Sequence, residues 1–423
     1  MKITGLKVTN LRALKLAEFS FQPGMNLLVG VNGVGKTTVL EALRICLSRT
    51  IPDFSYASKI LASSFGLDDI QIDSQSMTTE MEFEILGTKQ HYLIHKQKEE
   101  YVPEKEGSVR LQAYITPDHE KLTPGSNEQL LKQLNKDDAG PFKQPIAIYF
   151  STRRSLASYA TPSKSRSKGG VMAAFGDALI NSRELRLSEI ASWMHAQAAL
   201  AGERPLSDRH LDALLEAASR FLPECENLHT KMDMKLRLLV DKGGKILDVM
   251  QLSDGERGML ALVLDLAQRL SLANSGLENP IQDGEAVVLI DELDLHLHPK
   301  WQRAIVRRLT ETFPNCQFIA TTHSPLIIGE VSHDRIQIIA DGQVYSPTHS
   351  FGVDSSRVLE EVMDTNPRTD VTAQLLSQIS REIGQNQFDV ARKSLSALIE
   401  HLGENDPEIT RMRTLLDFME GEE

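Results

Sequence analysis

The first 30 residues change from alternating to continuous hydrophobicity. KITGLKV and KLAEFSF alternate polar and apolar positions, which is typical of strands that bury one face, whereas MNLLVG is apolar and leads into a glycine-rich turn. We therefore predict two paired strands and a third, fully buried strand. The residues that follow predict a helix from about Lys36 to Arg49.

The middle of the chain carries short strand patterns and then a helical block. TEMEFEIL, HYLIHK and VRLQAYI have the alternation of antiparallel strands, and PIAIYF has the apolar run of a buried strand. Residues 51–77 are rich in Ser and Asp and predict a loop. Between residues 182 and 223 the apolar spacing is helical, which predicts a short helical insert rather than a long coiled-coil arm.

Beyond the insert, the pattern returns to strands. KMDMKLRLLV predicts a strand, and Gly243 with Gly244 predicts a hairpin turn. EAVVLI, KWQRAIVRRL and CQFIATT follow in strand–helix–strand order, which predicts parallel pairing. After about residue 354 we predict two or three closing helices, which fit either a hairpin packed on the core or a surface that docks a partner.

The composition is that of a soluble globular protein. The chain has 423 residues, of which 41% are hydrophobic and 25% are charged. No apolar run reaches about 18 residues and the N-terminus lacks a signal-peptide layout, so we expect a cytoplasmic protein with no membrane association. Cys46, Cys225 and Cys316 are far apart and odd in number, so we expect buried thiols.

The net charge of −12 restricts any nucleic-acid contact to a local patch, because phosphate binding needs clustered Lys and Arg. One segment, residues 151–170, carries five basic residues with no acidic residue between them. It fits a nucleic-acid contact and a solvated loop equally well. The candidate contacts are Arg153, Arg154, Lys164, Arg166 and Lys168.

The strongest chemical signal is GVNGVGKT, residues 30–37, between the predicted buried strand and the helix. Its glycines let backbone N–H groups point at a phosphate, Lys36 would reach the β- and γ-phosphates, and Thr37 would give a hydroxyl to Mg²⁺. The sequence therefore predicts a P-loop site for ATP and Mg²⁺. The predicted ATP contacts are Asn32, Gly33, Val34, Gly35, Lys36, Thr37 and Thr38.

Two further strands end in polar residues that suit the same site. VVLIDE ends in Asp291, a second candidate ligand of Mg²⁺, and Glu292, a candidate to polarise the attacking water. ATTHSP ends in His323, a candidate hydrogen-bonding sensor of the γ-phosphate. Because the carboxyl ends of parallel strands share one edge of a sheet, we expect these residues near the P-loop.

QLSDGERGML, residues 251–260, has two interpretations. Ser253 and Glu256 have the spacing of a capping box at the start of a helix. The same helix start would present backbone N–H groups to a phosphate. Local sequence leaves both open.

The order of P-loop, LSDGE, VVLIDE and ATTHSP resembles that of the ABC-type ATPases of the RecF, structural-maintenance-of-chromosomes (SMC) and overcoming-lysogenisation-defect group. The resemblance implies an α/β, ABC-type P-loop ATPase head with an antiparallel β lobe, a short helical insert and a C-terminal helical tail. It implies four regions: an N-terminal ATPase lobe at 1–150, a basic loop and helical insert at 151–245, a C-terminal ATPase lobe at 246–350, and a helical tail at 351–423 that is a candidate partner-docking region.

The same resemblance implies further site residues. VTNLRAL is similar to the group's N-terminal signature, which would bring Asn10 and Arg12 towards the nucleotide. In this group the LSxGE segment of one subunit completes the ATP site of another, which would make the chain a dimer around ATP. Ser151 and Thr152 stand where the group usually has Gln. The residues implied for the second subunit are Ser253, Gly255 and Glu256, with Asp294 in the subunit-contacting loop.

Within the group, the chain resembles the ATPases of Septu anti-phage systems (PtuA) and their retron-associated relatives, through IYFSTRRS and the tail segment FGVDSSRVLEEVMDTNPR. That resemblance implies an ATPase without its own nuclease domain that regulates a separate HNH endonuclease (PtuB-like). The alternatives are a RecF-like DNA-repair clamp and a switch that binds ATP without hydrolysing it. A transporter subunit fits less well, because the Gln-bearing loop is absent from the sequence.

Overall fold

The structure, a computed structural model, describes residues 1–55, 63–98, 119–122, 143–156 and 170–421. They form two compact units, Met1–Val353 and Asp354–Glu423. The strands are β1 Lys2–Leu11, β2 Leu14–Ser20, β3 Met25–Val29, β4 Ser76–Ile85, β5 Thr88–Gln97, β6 His119–Leu122, β7 Ile146–Phe150, β8 Cys225–Met232, β9 Leu236–Lys242, β10 Lys245–Asp248, β11 Ala286–Ile290, β12 Gln317–Thr321, β13 Ile336–Ala340 and β14 Gln343–Tyr345. The helices of the first unit are α1 Lys36–Phe54, α2 Leu187–Leu200, α3 Pro205–Phe221, α4 Asp254–Ala273, α5 Pro280–Asp283, α6 Pro299–Thr312 and α7 Pro325–Ile328.

The N-terminal strands form an antiparallel sheet in the order β2-β1-β4-β5-β6. In β1 the side chains of Ile3, Leu6 and Val8 are buried, as the alternating pattern predicts for a strand with one face in the core. The pairing of the first two strands is confirmed, and so are the strands predicted at TEMEFEIL and HYLIHK. The strand predicted at VRLQAYI lies outside the described residues.

A six-stranded sheet of order β14-β13-β3-β12-β11-β7 forms the centre of the first unit. Strands β3, β7, β11 and β12 are buried along their whole length and pair in parallel, which confirms the parallel pairing predicted for EAVVLI and CQFIATT. Strand β13 extends the parallel set beside β3, and β14 turns back antiparallel. The carboxyl ends of the four buried strands therefore share one edge of the sheet.

Two expected boundaries are wrong. The segment KMDMKLRLLV is not one strand: β8 ends at Met232 and β9 begins at Leu236, because a turn closed from Asp233 N to Lys235 O separates them. Helix α1 continues to Phe54, past the predicted end at Arg49, so residues 51–54, which were predicted as loop, are helical. The predicted hairpin at Gly243 and Gly244 is confirmed, with φ of +57° and +75°.

An ion network of two buried arginines, a buried aspartate and the half-exposed Asp177 joins helix α4 to residues 177–183. Arg269 donates to Asp177 Oδ1 at 2.5 Å and to Asp265 Oδ2 at 3.0 Å, and Arg183 pairs with the same two carboxylates. Burial alone would raise the pKa of Asp177, but Arg269 and Arg183 lower it to about 2. Helix α4, which begins at the LSDGE segment, is thus fixed to residues near the end of β7.

The described residues of the second unit form four helices, where two or three were predicted: α8 Ser355–Glu361, α9 Asp370–Gly384, α10 Phe388–Leu402 and α11 Pro407–Gly421. A double ion pair from Arg368 to Asp406, at 2.9 and 3.2 Å, joins the residues that precede α9 and α11. The apolar faces predicted for the tail helices meet in this unit's core. That core contains Ile379, Ile383, Ala391, Leu395, Leu398, Ile409, Met412 and Leu416.

The structure also shows the state of the cysteines and the apolar length of the described helices. The three cysteines are buried and none of them forms a disulfide bond, as predicted. Across the residues that the structure describes, none of the helices combines the length and the apolar character needed to cross a bilayer.

Candidate nucleotide site

The P-loop connects β3 to α1, as its sequence predicts. Gly30 lies so close to β13 that a Cβ atom there would collide with the carbonyl oxygen of Ile339. Gly35 precedes the helix with φ of +109°, a left-handed conformation that disfavours any residue with a side chain. The tight turn and the exposed segment Val31–Gly33 leave backbone N–H groups accessible to a phosphate.

Lys36 is folded back over its own loop. Its side chain is buried, and Nζ donates to the carbonyl oxygens of Gly30 and Val31, both at 2.8 Å. Burial lowers the pKa of this ammonium group, while the nearby Asp291 and Glu292 carboxylates act in the opposite direction. The lysine is therefore held at the mouth of the loop by neutral acceptors that a phosphate can replace.

The Thr37 hydroxyl and the Asp291 carboxylate meet, although 254 residues separate them in the chain. Thr37 Oγ1 lies 3.2 and 3.3 Å from the two carboxylate oxygens, and Thr321 Oγ1 donates to Asp291 Oδ1 at 2.7 Å. A hydroxyl and a carboxylate are the hard oxygen ligands that Mg²⁺ prefers, so this pair fits the metal. Sequence reasoning missed Thr321; the two threonines of ATTHSP at a buried strand end were the available signal.

Glu292 has a left-handed backbone, with φ of +50°. Its N–H donates to Thr321 Oγ1 at 2.7 Å, and its carbonyl oxygen accepts from Leu295 N at 2.9 Å and from Arg154 Nη2. A left-handed non-glycine residue costs on the order of 1–2 kcal/mol. These contacts therefore hold Glu292 in a conformation that the chain would not adopt alone.

Arg154 corrects one prediction. Only 2% of this residue is exposed, and its guanidinium donates to the carbonyl oxygens of Asp291 and Glu292 and, at 3.2 Å, of Ser151. Burial lowers the pKa of Arg154 to about 10, with the Asp291 carboxylate opposing, so the group is charged at neutral pH. The guanidinium is buried against the main chain of Asp291 and Glu292, so it is not available as a nucleic-acid contact.

Asp294 and His323 lie side by side across the sheet edge. Asp294 Oδ1 accepts from Thr322 Oγ1 at 2.6 Å and from His323 N at 3.2 Å. Burial lowers the pKa of the His323 imidazole, and the neighbouring Lys36 lowers it further. The imidazole is therefore neutral at pH 7, the state that a hydrogen-bonding sensor requires.

The LSDGE segment forms the predicted capping box at the start of α4. Glu256 N donates to Ser253 Oγ at 3.4 Å, and Glu256 Oε2 accepts from Ser253 N at 3.3 Å. Glu256 also forms an ion pair with Lys242 of β9 at 2.5 Å, a contact that sequence reasoning missed. Gly255 packs so tightly on the loop after β11 that a Cβ atom would collide with the carbonyl oxygen of His296.

Asn10 lies near the end of β1 and Arg12 lies in the turn between β1 and β2, with φ of +54° and +49°. Asn10 Nδ2 donates to the carbonyl oxygen of Ser76 at 3.2 Å. The Arg12 guanidinium pairs with Asp69 at 2.7 Å and with Glu41 of α1 at 2.6 Å. The structure thus links Arg12 to the helix that follows the P-loop.

Of the five basic candidates, Arg153 is the one that the structure describes as exposed. It lines an open pocket of about 500 Å³ together with Arg44, Ser63 and Asn181. Among the described residues that line this pocket there is no carboxylate. Lys164, Arg166 and Lys168 lie outside the described residues.

The chain is similar to known proteins over the regions that contain these motifs. Residues 98–329 match the family model described as AAA domain, putative AbiEii toxin, Type IV TA system, and residues 6–184 match a further AAA-domain model. A retron Ec83 probable ATPase from Escherichia coli is 38% identical over 213 residues, 49% of this chain and 39% of that protein. A Septu protein PtuA from Bacillus thuringiensis is 23% identical over 391 residues, 85% of this chain and 84% of that protein. The SMC head domain from Thermotoga maritima aligns at 15% identity and a TM-score of 0.41, over 82% of this chain and 98% of that chain.

The match to the retron ATPase covers 39% of that protein, so the chain spans well under half of this relative. The two family models together run from residue 6 to residue 329 and include the P-loop, the LSDGE segment, the acidic strand end and His323. The described residues have an α/β fold with the P-loop between β3 and α1, and the chain belongs to the AAA-domain family described as putative AbiEii toxin, Type IV TA system.

Proposed function

We propose that the chain binds ATP with Mg²⁺ and hydrolyses it to ADP and phosphate. The observation that carries this proposal is the meeting of Thr37 and Asp291, 3.2 Å apart, directly after the P-loop lysine. Glu292 and His323 lie at the same edge of the sheet, where the Glu292 carboxylate acts against the lowering of the His323 pKa by burial and by Lys36. A capped helix or a fortuitous glycine turn would not need this arrangement.

In the proposed mechanism, backbone N–H groups of residues 31–35 and the Lys36 ammonium bind the phosphates. Thr37 and Asp291 would hold Mg²⁺, which when bound neutralises part of the phosphate charge. Glu292 orients the attacking water, and neutral His323 donates a hydrogen bond towards the γ-phosphate. Positioning and electrostatics supply most of the rate enhancement.

The LSDGE segment is proposed to act in trans. Ser253 is exposed at the start of α4, and an N-capped helix start suits an anion. In a dimer around ATP, Ser253, Gly255 and Glu256 would complete the site of the second subunit, with Asp294 in the contacting loop. Loss of the γ-phosphate would remove these contacts and reopen the pair.

The biological role is proposed from the named relatives. One of them is a retron probable ATPase and another is a Septu protein PtuA. We infer that the chain is the ATPase subunit of a prokaryotic anti-phage defence complex and regulates a separate HNH endonuclease. The helices of the Asp354–Glu423 unit are our candidate docking region for that nuclease.

Three variants test the ATPase proposal. Lys36→Ala should lose nucleotide binding, because it removes the cation of the P-loop. Glu292→Gln should retain nucleotide binding and lose turnover, because it preserves shape while removing the carboxylate. Ser253→Arg should abolish turnover and ATP-dependent dimerisation without weakening binding to the monomer. Full turnover in Glu292→Gln contradicts the proposed mechanism, and full turnover in Ser253→Arg contradicts the dimer.

The role in defence needs a separate experiment. We would coexpress the chain with its genomic neighbours, measure the mass of the complex with and without ATP, and challenge cells with phage. Copurification of an HNH endonuclease, with protection lost in Lys36→Ala, supports the proposal. Protection that survives in Glu292→Gln would mean that ATP binding suffices. A complex without any nuclease, or no protection, contradicts the role in defence.

A RecF-like DNA clamp is the second candidate. The observation that favours it is the exposed Arg153 beside Arg44 in a pocket whose described lining has no carboxylate. DNA binding by the chain alone should then weaken steeply with salt, because phosphate contacts release counterions. Arg153→Glu should lower the affinity and the salt dependence; unchanged binding rejects this contact.

A further inference from the structure

Arg154 contacts the main chain of both acidic residues at the end of β11. It lies in the short 3-10 turn Thr152–Leu156 that follows β7, and its guanidinium spans the consecutive carbonyl oxygens of Asp291 and Glu292. Five N–H donors in a rigid plane allow arginine to bridge two acceptors in this way. The carbonyl oxygen of Ser151 accepts a further hydrogen bond from the same side chain, at 3.2 Å.

Strands β12 and β7 lie on either side of β11, and residues from both sides contact Asp291 and Glu292. From β12, Thr321 Oγ1 accepts from Glu292 N and donates to the Asp291 carboxylate. From the β7 side, Phe150 O accepts from Asp291 N at 2.9 Å, and Arg154 contacts both carbonyl oxygens. Asp291 and Glu292 are thus held from both sides: β12 holds the Glu292 N–H and the Asp291 carboxylate, and the β7 side holds the Asp291 N–H and both carbonyl oxygens.

Arg154 also brings a buried positive charge to the carboxylates of the site. The carboxylates that act on its guanidinium are those of Asp291, Asp294 and Glu292, in that order. A cation fixed below the sheet edge offsets part of the repulsion among these groups. The hydrogen bonds of Arg154 go to main-chain oxygens and not to the carboxylate oxygens of these residues.

We propose that Arg154 is a positioning residue for ATP hydrolysis, which holds the left-handed Glu292 so that its carboxylate stays beside Lys36 and His323. This inference rests on the proposed ATPase function. Arg154 touches neither nucleotide nor water in the proposal; it acts through Glu292. Its loss should therefore lower kcat, while nucleotide affinity, which depends on the P-loop, should remain.

The test compares Arg154→Met and Arg154→Lys with Arg308→Met in the full-length chain. Arg308 is the control, because its guanidinium also donates to a main-chain oxygen, Phe221 O at 2.8 Å, and packs on Trp301, and the carboxylate that acts on it is that of Glu224. We would measure kcat, the affinity for a fluorescent ATP analogue, and hydrogen exchange over residues 290–297. Arg154→Met should lower kcat on the order of 100-fold, since small misplacements of a catalytic group cost that much.

In the expected result, Arg154→Met keeps nucleotide affinity and exchanges faster over residues 290–297, whereas Arg308→Met changes neither kcat nor this exchange. Arg154→Lys should lie between wild type and Arg154→Met, because one ammonium group cannot bridge both carbonyl oxygens. If Arg154→Met fails to fold, Arg154→Lys alone decides: wild-type kcat with wild-type exchange overturns the proposal.

Two other outcomes separate this inference from the proposed function. A wild-type chain that does not hydrolyse ATP refutes the ATPase proposal, and unchanged exchange in the Arg154 variants would then overturn the positioning role on its own. Equal losses of kcat and nucleotide affinity in Arg154→Met would also overturn it, because they would indicate general damage to the site.

Discussion

Thr321 supports the site through one buried hydroxyl, which makes its contribution measurable. Thr321 Oγ1 donates to the Asp291 carboxylate and accepts from Glu292 N, both at 2.7 Å, and 1% of the residue is exposed. Thr321→Val keeps the shape and removes the hydroxyl. A hydrogen bond to a charged group contributes about 1.5–3 kcal/mol, and a buried N–H without a partner costs about 1–3 kcal/mol. We therefore expect a loss of about 3 kcal/mol in the free energy of unfolding.

Thr321→Ser is the matched control, because it keeps the hydroxyl and loses one methyl group, worth about 1 kcal/mol. The assay is urea unfolding followed by tryptophan fluorescence. Both tryptophans, Trp193 and Trp301, lie in the Met1–Val353 unit, so the signal reports on the unit that contains the site. Equal stabilities of the Val and Ser variants would refute the reasoning, because the hydroxyl would then contribute nothing beyond packing.

Two further predictions concern the helix start and the histidine. Gly255→Ala should reduce ATP turnover while nucleotide binding persists, because the added Cβ collides with the His296 carbonyl oxygen and displaces the LSDGE segment. The control is Gly176→Ala, whose added Cβ meets open space. Wild-type turnover in Gly255→Ala would contradict the prediction. Because burial and Lys36 lower the pKa of His323, kcat should stay constant from pH 8 downward and fall only below about 6.5, the ordinary histidine value, and this fall should weaken in His323→Gln. A kcat that rises as the pH falls would mean that His323 acts as a cation, and a decline that begins above pH 6.5 would mean that its pKa is not lowered.

The parts of the site that sequence predicted depend on short-range patterns. The P-loop lies within eight consecutive residues, and its flanking strand and helix follow from local periodicity. The capping box of Ser253 and Glu256 needs only their spacing of three. Asp291 and His323 were expected together because parallel strands end at one edge, an inference from topology that needs no side-chain detail.

Other contacts depend on the register of strands far apart in the chain. Arg154 is 137 residues from Asp291, and the surrounding run of basic residues suggests a solvated loop. Its burial follows from the pairing of Phe150 with Ile290, which places the turn after β7 directly against the end of β11. The pairing of Lys242 with Glu256 spans only 14 residues, but it requires the β9–β10 hairpin to lie beside the start of α4.

The folded-back position of Lys36 has a consequence for how a nucleotide would be retained. Its ammonium group already donates to Gly30 O and Val31 O, so an arriving phosphate replaces neutral acceptors with charged ones. Hydrogen bonds between charged groups are the stronger kind, so this exchange favours the bound nucleotide. The two carbonyl oxygens accept from the ammonium group again when the nucleotide leaves, so the lysine stays at the mouth of the loop through repeated loading and release.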